Sequence, residues 1–274
     1  MKKILMSLFV ATALIMPATA ATYNASGRVP TVGQTILTKN TLPTSTFKVT
    51  QEVIDNSDVN TTNIINIPTS DLTYAGNDNE VAAVIANELG HIINGHYSKN
   101  KLKDMAKAAI SERFSEENIV SVAANSTLVS NKMSLDDNKE ADITGVDLMI
   151  NAGYNPLAMI VTITKMPGST LELLQGKPAN SERAMYLYDY LLYNYPSKVK
   201  VGYGCQEYRN FLAYADPIVN ERNSNKKKLA KFNKQQEKYK AERAKKVAKY
   251  RNTNSSGWDT NYLILKTLSE SSEN

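Results

Sequence analysis

Val81, Val84, Ile85, Leu89, Ile92 and Ile93 recur three and four positions apart, the spacing that gathers apolar side chains on one face of a helix. Just ahead of them Asn77, Asp78, Asn79 and Glu80 offer capping oxygens and first-turn carboxylates, and Asn94-Gly95 offers a stop. The pattern predicts a buried helix between these signals. Much later, Lys226 to Tyr250 contains no proline or glycine and is dominated by Ala, Lys, Glu, Gln and Arg, so it predicts one long helix. Its apolar residues Leu229, Phe232, Tyr239, Ala244, Val247 and Tyr250 keep a loose helical spacing without a sustained heptad, which predicts light packing on the domain and not a coiled coil. At the other end, Lys2 and Lys3 precede an apolar run from Ile4 to Met16, then Pro17 and Ala18-Thr19-Ala20. This is the layout of a signal peptide cleaved after Ala20, with an uncleaved anchor as the alternative. The run is about 13 residues, short of the ~20 that a spanning helix needs. The expectation is an exported protein, periplasmic or extracellular, with membrane association left open.

Composition narrows the classes. The chain has 274 residues, 42% apolar and 22% charged, with a mean hydropathy of -0.37, which excludes a polytopic membrane protein, a collagen and a wholly disordered chain. A single cysteine, Cys205, excludes an intrachain disulfide framework and any cysteine-based zinc ribbon. His91 and His96 are the whole histidine supply, so one chain cannot build a three-histidine metal site. Charge is segregated: residues 221 to 251 carry a net +10, and the rest of the chain beyond Ala20 carries -7. The basic stretch reads as a solvated helix, or as one that rests on an anionic envelope surface. Nucleic acid is the less favoured partner, because no base-stacking platform is visible. Asn252 to Gly257 reads as a linker, Trp258 to Leu268 as a short ordered return, and residues 269 to 274 as a frayed end.

The chemistry sits in the first helix. Asn87-Glu88-Leu89-Gly90-His91 is one substitution from His-Glu-x-x-His, in which two imidazoles four residues apart grip one zinc while the adjacent carboxylate addresses the metal-bound water. The run from Glu80 to His96, the block Asn138-Lys139-Glu140-Ala141-Asp142 with Gly145 and Ala152-Gly153-Tyr154-Asn155-Pro156, and the block Lys177-Pro178 with Arg183 follow in order. Together they resemble zinc metallopeptidase family 48, the CAAX prenyl protease and HtpX-like gluzincins, over roughly residues 45 to 195. The resemblance implies zinc held by positions 87, 91 and 138, Glu88 as general base, Asp142 supporting the metal shell from behind, and a histidine at position 177. Here Asn87 and Asn138 replace a histidine and a glutamate, Lys177 replaces the third-motif histidine, and His91, Glu88, Asp142 and Arg183 are retained. Disturbing even a residue behind the ligands costs ~10 to 100-fold in metal affinity or activity, and amides are poor zinc donors. Zinc is therefore expected to be weak or absent. Asp136, Asp137 and Glu140 point in other helical directions from Asn138, and His96 reads as a structural hydrogen-bonding residue.

The expected fold is α+β and mostly helical, a zincin-like domain with a small antiparallel sheet whose strands are Glu52 to Asp55 and Asn63 to Ile67. Tyr186 to Tyr195 forms a tyrosine-rich helix used for packing, and residues 99 to 131 an insertion that could cap the pocket. The expected organisation is a signal peptide over 1–20, an N-terminal extension over 21–44, a metallopeptidase-like domain over 45–215 and a basic helical tail over 216–274. The expected function is a catalytically impaired pseudopeptidase that binds a peptide or protein in its cleft. The alternatives are an active zinc metalloendopeptidase with altered ligands, and an envelope-surface adaptor working through the tail.

Overall fold

The computed structural model describes residues 23–97, 133–169, 172, 174–250 and 258, with side chains omitted over 246–250. The segment over 1–20 expected to be a signal peptide and the insertion expected over residues 99–131 lie outside the described residues. The elements, in chain order, are helix α1 (Ala25–Lys39), strand β1 (Thr46–Thr50), α2 (Val59–Thr62), strand β2 (Ile64–Pro68), α3 (Thr69–Leu72), α4 (Asp78–Ile93), α5 (Leu135–Asn151), α6 (Leu157–Lys165), α7 (Ser181–Asn194), α8 (Pro196–Val201), α9 (Gln206–Ser224) and α10 (Lys226–Tyr250). The result is the α+β, mostly helical architecture that the sequence implies.

The central helix starts and stops where its signals lie. Asn77 accepts hydrogen bonds from the amides of Asn79 and Glu80, which satisfies two of the four free donors at a helix start. Gly95, with φ +67, turns the chain away after Ile93. Helix α4 packs on α1, α5 and α6, so most of its circumference is buried. Two glycines set its distance from α5. A Cβ on Gly90 would lie 2.3 Å from the Ala141 carbonyl oxygen, and one on Gly145 would lie 2.9 Å from the Ala86 carbonyl oxygen. Only glycine allows that approach, and it brings Asn87 of α4 within hydrogen-bonding distance of Asp142 on α5. On α5, Ser134 and Asp137 form a reciprocal capping box that fixes the start of the helix.

The sheet corrects the sequence expectation in two respects. Strand β1 occupies Thr46–Thr50 and not Glu52 to Asp55, because Phe47 and not Val53-Ile54 enters the core; Val53 is 59% exposed. Strand β2 is displaced by one residue from Asn63 to Ile67, since Asn63 takes a left-handed conformation (φ 53) that ends α2. The two described strands also pair in parallel, with Thr46 opposite Ile64 and Thr50 opposite Pro68, where an antiparallel sheet was expected. Parallel pairing needs a crossover, and residues 51–63 with α2 provide it.

The basic tail is anchored more firmly than light packing implies. On α10, Leu229, Phe232, Gln236, Tyr239, Lys240 and Arg243 are the partly or fully covered positions among those whose side chains are described, and all but Lys240 follow alternating steps of three and four along one face. That face lies on α7: Phe232 meets Tyr193 edge-on, Tyr239 meets both Tyr186 and Tyr190, and Glu237 accepts from the Tyr193 hydroxyl. Arg243 reaches furthest in, with Nη1 2.6 Å from Oδ2 of the fully buried Asp147 and donating to the Tyr190 hydroxyl at 2.8 Å. The tyrosines of α7 are thus packing residues, as expected, and part of what they pack is the tail. Trp258 is also buried, its indole N–H donating to Ser45 Oγ at 3.2 Å and its backbone amide to Asn60 at 3.0 Å.

Candidate functional site

Helix α4 carries Asn87, Glu88 and His91, α5 carries Asn138 and Asp142, and Asn87 meets Asp142 across the two helices. Their geometry comes from the glycine-mediated contact between the two helices. Asp142, buried, is the hub of one network. Arg183 from α7 grips it with two hydrogen bonds, Nε to Oδ2 at 2.5 Å and Nη2 to Oδ1 at 2.7 Å. Asn87 Nδ2 donates to Asp142 Oδ1 at 2.8 Å. A metal-bound histidine commonly donates its second ring N–H to a carboxylate in this way. Asn87 therefore keeps the inward-facing donor of such a histidine but has no ring nitrogen to present outward.

His91 belongs to a second network. Its Nδ1 lies 2.9 Å from Nδ1 of His96, so one of the two rings donates and the other accepts. The far ring nitrogen of His96 sits 3.2 Å from Glu140 Oε2 and 3.6 Å from Asp137 Oδ1, and His96 is 1% exposed. This is the structural hydrogen-bonding role expected of it. Burial drives the His91 imidazole down to about 3, with the neighbouring His96 and Arg183 adding to the depression and Asp137 and a hydrogen bond with Asn138 opposing it. His91 is therefore neutral at pH 7. Asn138 turns its amide nitrogen back to the carbonyls of Ser134, at 3.0 Å, and Met133, at 3.3 Å.

Glu88 heads a third cluster that the sequence did not reveal. Asn56 Nδ2 donates to Glu88 Oε1 at 2.5 Å, and the Tyr97 hydroxyl donates to the same oxygen. Asn56 is itself clamped to β2, accepting from the Asn66 amide at 2.8 Å and donating to its carbonyl at 3.1 Å. Burial pushes the Glu88 carboxyl up to about 7, against the lowering effect of Tyr97 and Asn56 and with a further rise from Asp71 and Asp55. Because the folded chain holds this proton more tightly than the unfolded one, stability attributable to Glu88 is full below about pH 4.5 and declines as pH rises toward 7. His91 acts oppositely, as its depressed basicity makes stability fall as pH drops from about 6.5 toward 3. Replacing Glu88 by Gln, whose amide oxygen can accept both hydrogen bonds, removes the alkaline loss. Thermal melts should show Glu88→Gln close to wild type at pH 4.5 and more stable at pH 8, by on the order of 2–3 kcal/mol. A gap that does not widen with pH would contradict this assignment.

Lys177 stands apart from these clusters. It is exposed, its backbone amide bonds to the Glu172 carbonyl at 2.9 Å, and its side chain borders a surface cavity of about 570 Å³ beside Glu207, Asn210 and Tyr214. No residue lining that cavity belongs to the Glu88, His91 or Asp142 networks.

Comparison with known proteins places the whole arrangement. Residues 25–190 match the family model described as Peptidase family M48. The chain belongs to peptidase family M48. It is also 29% identical over 124 residues to the metalloprotease LoiP of Escherichia coli (strain K12), covering 41% of this chain and 49% of that protein. The chain thus spans about half the length of the curated relative it matches. No solved structure matches it.

The M48 family consists of zinc metallopeptidases, and the donors at positions 87, 91 and 138 of this member do not fit zinc. Two of the three are neutral amides, one with its nitrogen on Asp142 and the other with its nitrogen on backbone carbonyls. Neither supplies the imidazole nitrogen or anionic oxygen on which zinc sites rely. Among the described residues, no group of three His, Cys, Asp or Glu is arranged to hold an ion. The three acids nearest Asn138 do not substitute: Glu140 and Asp137 face His96, and Asp136 lies in the first turn.

Proposed function

We propose that this M48 member is an exported pseudopeptidase that captures an extended peptide or protein segment in its cleft without hydrolysing it. The observation that carries this reading is the fate of Asn87. It retains the bond to Asp142 that a metal-bound histidine would make, while the metal-facing donor is missing. Arg183 on Asp142 and Glu140 on His96 support this reading, since the groups that hold the site's polar residues are present although two ligand positions are amides. Without an activated water, Glu88 has nothing to deprotonate. Its protonated carboxyl near neutral pH is a hydrogen-bond donor suited to a peptide carbonyl.

The capture surface lies beside it. Val53 and Ile54, 59% and 44% exposed, lead into Asn56, and the exposed Ile64 opens β2 two residues before Asn66. These apolar side chains border the loop and strand that hold Glu88. An extended segment laid there would find side-chain contacts along the sheet and a polar anchor at Glu88.

Unfolded casein provides the test. The purified chain should retain casein in a pull-down and leave it uncut over hours, and Val53→Asp with Ile54→Asp should reduce retention at least tenfold. Cleavage abolished by Glu88→Gln, or retention indifferent to the paired aspartates, would overturn this function.

A further inference from the structure

Among the described residues nothing packs on the face of α10 opposite its docked side, and that face has one character. Taking about 100° of rotation per residue, Lys227, Lys231, Lys234, Lys238 and Lys245 fall within about 60° of one another on the helix surface. They lie roughly opposite the face carrying Leu229, Phe232, Gln236, Tyr239 and Arg243. All five lysines are exposed. The stripe runs about 27 Å at 1.5 Å per residue. Among the described residues its single carboxylate contact is Glu242, 3.7 Å from Lys238, with both groups more than half exposed. Such a pair adds little and is screened by salt. The two remaining acids of the basic segment are engaged elsewhere, Glu237 with Tyr193 and Glu221 with Lys228.

We propose that this lysine stripe seats the protein on an anionic phospholipid bilayer. An independent observation separates this from an ordinary solvated face: the helix cannot roll. Arg243 on Asp147, Phe232 beneath Arg222 and against Tyr193, and Tyr239 between Tyr186 and Tyr190 fix its rotation. The stripe is therefore held outward as a straight row of cations. The chemistry of the row favours a bilayer over nucleic acid. It contains lysines alone, point charges without the planar fork with which arginine grips individual phosphates, and no aromatic residue on which a base could stack. Laterally mobile headgroups, by contrast, gather beneath a fixed row of ammonium groups, each contributing roughly a fivefold gain in partitioning.

The proposal is independent of what the cleft does. It is tested with the full chain and vesicles of phosphatidylglycerol and phosphatidylethanolamine, with phosphatidylcholine vesicles and duplex DNA as comparisons. The expected result is sedimentation with the phosphatidylglycerol vesicles that weakens as salt rises and is at least tenfold poorer with phosphatidylcholine. The combined Lys231→Ala, Lys234→Ala and Lys238→Ala variant, which keeps every docked residue and places good helix formers on the surface, should lose roughly 100-fold in partitioning with an unchanged melting temperature. Equal binding by wild type and the triple variant would overturn the proposal, as would equal binding to both vesicle types, the behaviour expected if the apolar N-terminal run alone held the membrane. Binding to DNA as tight as to phosphatidylglycerol, lost in the same variant, would overturn it in favour of a general polyanion surface.

Discussion

Arg243→Ala should lower the stability of the entire domain by about 3–5 kcal/mol, although the residue lies 53 positions beyond Tyr190, the nearest anchor in sequence that it touches. The reason is Asp147. It has no exposure to water and is satisfied by the hydroxyls of Tyr190 and Tyr195, at 2.9 and 2.7 Å, and by the guanidinium of Arg243 at 2.6 Å. Burial pushes the Asp147 carboxyl up, and Arg243 provides the largest opposing pull. Removing the cation leaves a carboxylate in an apolar interior with two neutral donors. Breaking a buried pair from one side is much costlier than replacing both partners by apolar side chains. The double variant Arg243→Met with Asp147→Leu should therefore recover most of the loss. A further signature follows from the sign of the shift: without Arg243 the carboxyl is harder still to ionise, so the deficit of the single variant should shrink as pH falls and Asp147 takes up a proton. Thermal or urea unfolding at pH 5 and pH 8 measures both effects. A single variant within 1 kcal/mol of wild type at pH 8 would show that the tail is not part of the folded unit.

How much of this was legible in the sequence depended on whether a contact left an apolar trace. Helix α4 was readable from end to end, because its caps and its three-and-four spacing survive in Asn77, Val81, Ile85, Leu89 and Gly95. The closeness of α4 and α5 was implicit in Gly90 and Gly145. The docked face of α10 was not readable, because two of its five covered positions are Gln236 and Arg243, which an apolar count skips. Arg243 is covered through polar partners on α5 and α7, Asp147 and Tyr190, that lie 53 or more residues away. Strand β1 was misplaced at Glu52 to Asp55, where the structure exposes both Val53 and Ile54, and it is Phe47 that is buried. Asn56 and Tyr97 left no signal in the sequence. A loop asparagine and a tyrosine past a helix end acquire meaning only when the fold brings both onto one oxygen of Glu88.

Restoring the two lost ligand types should have the largest effect on the site itself. In Asn87→His the new ring can keep the bond to Asp142 through one nitrogen, as the amide does now, and present the other to the cleft. Asn138→Glu returns an anionic oxygen near His91, whose basicity Asn138 already influences. Arg183, Asp142, His96 and Glu140 are in place to orient the restored set. The double variant should bind zinc at least 100-fold more tightly than wild type, since donors that touch the metal matter more than the residues behind them. Each single variant should fall well short of the pair, because one strong donor added to His91 still leaves an incomplete site.

Elemental analysis of the purified wild-type chain alongside the Asn87→His, Asn138→Glu variant, both loaded with zinc and freed of excess, tests the central claim most directly. Well below one zinc per wild-type chain and close to one per variant chain is the predicted result. One tightly held zinc in the wild type would contradict it.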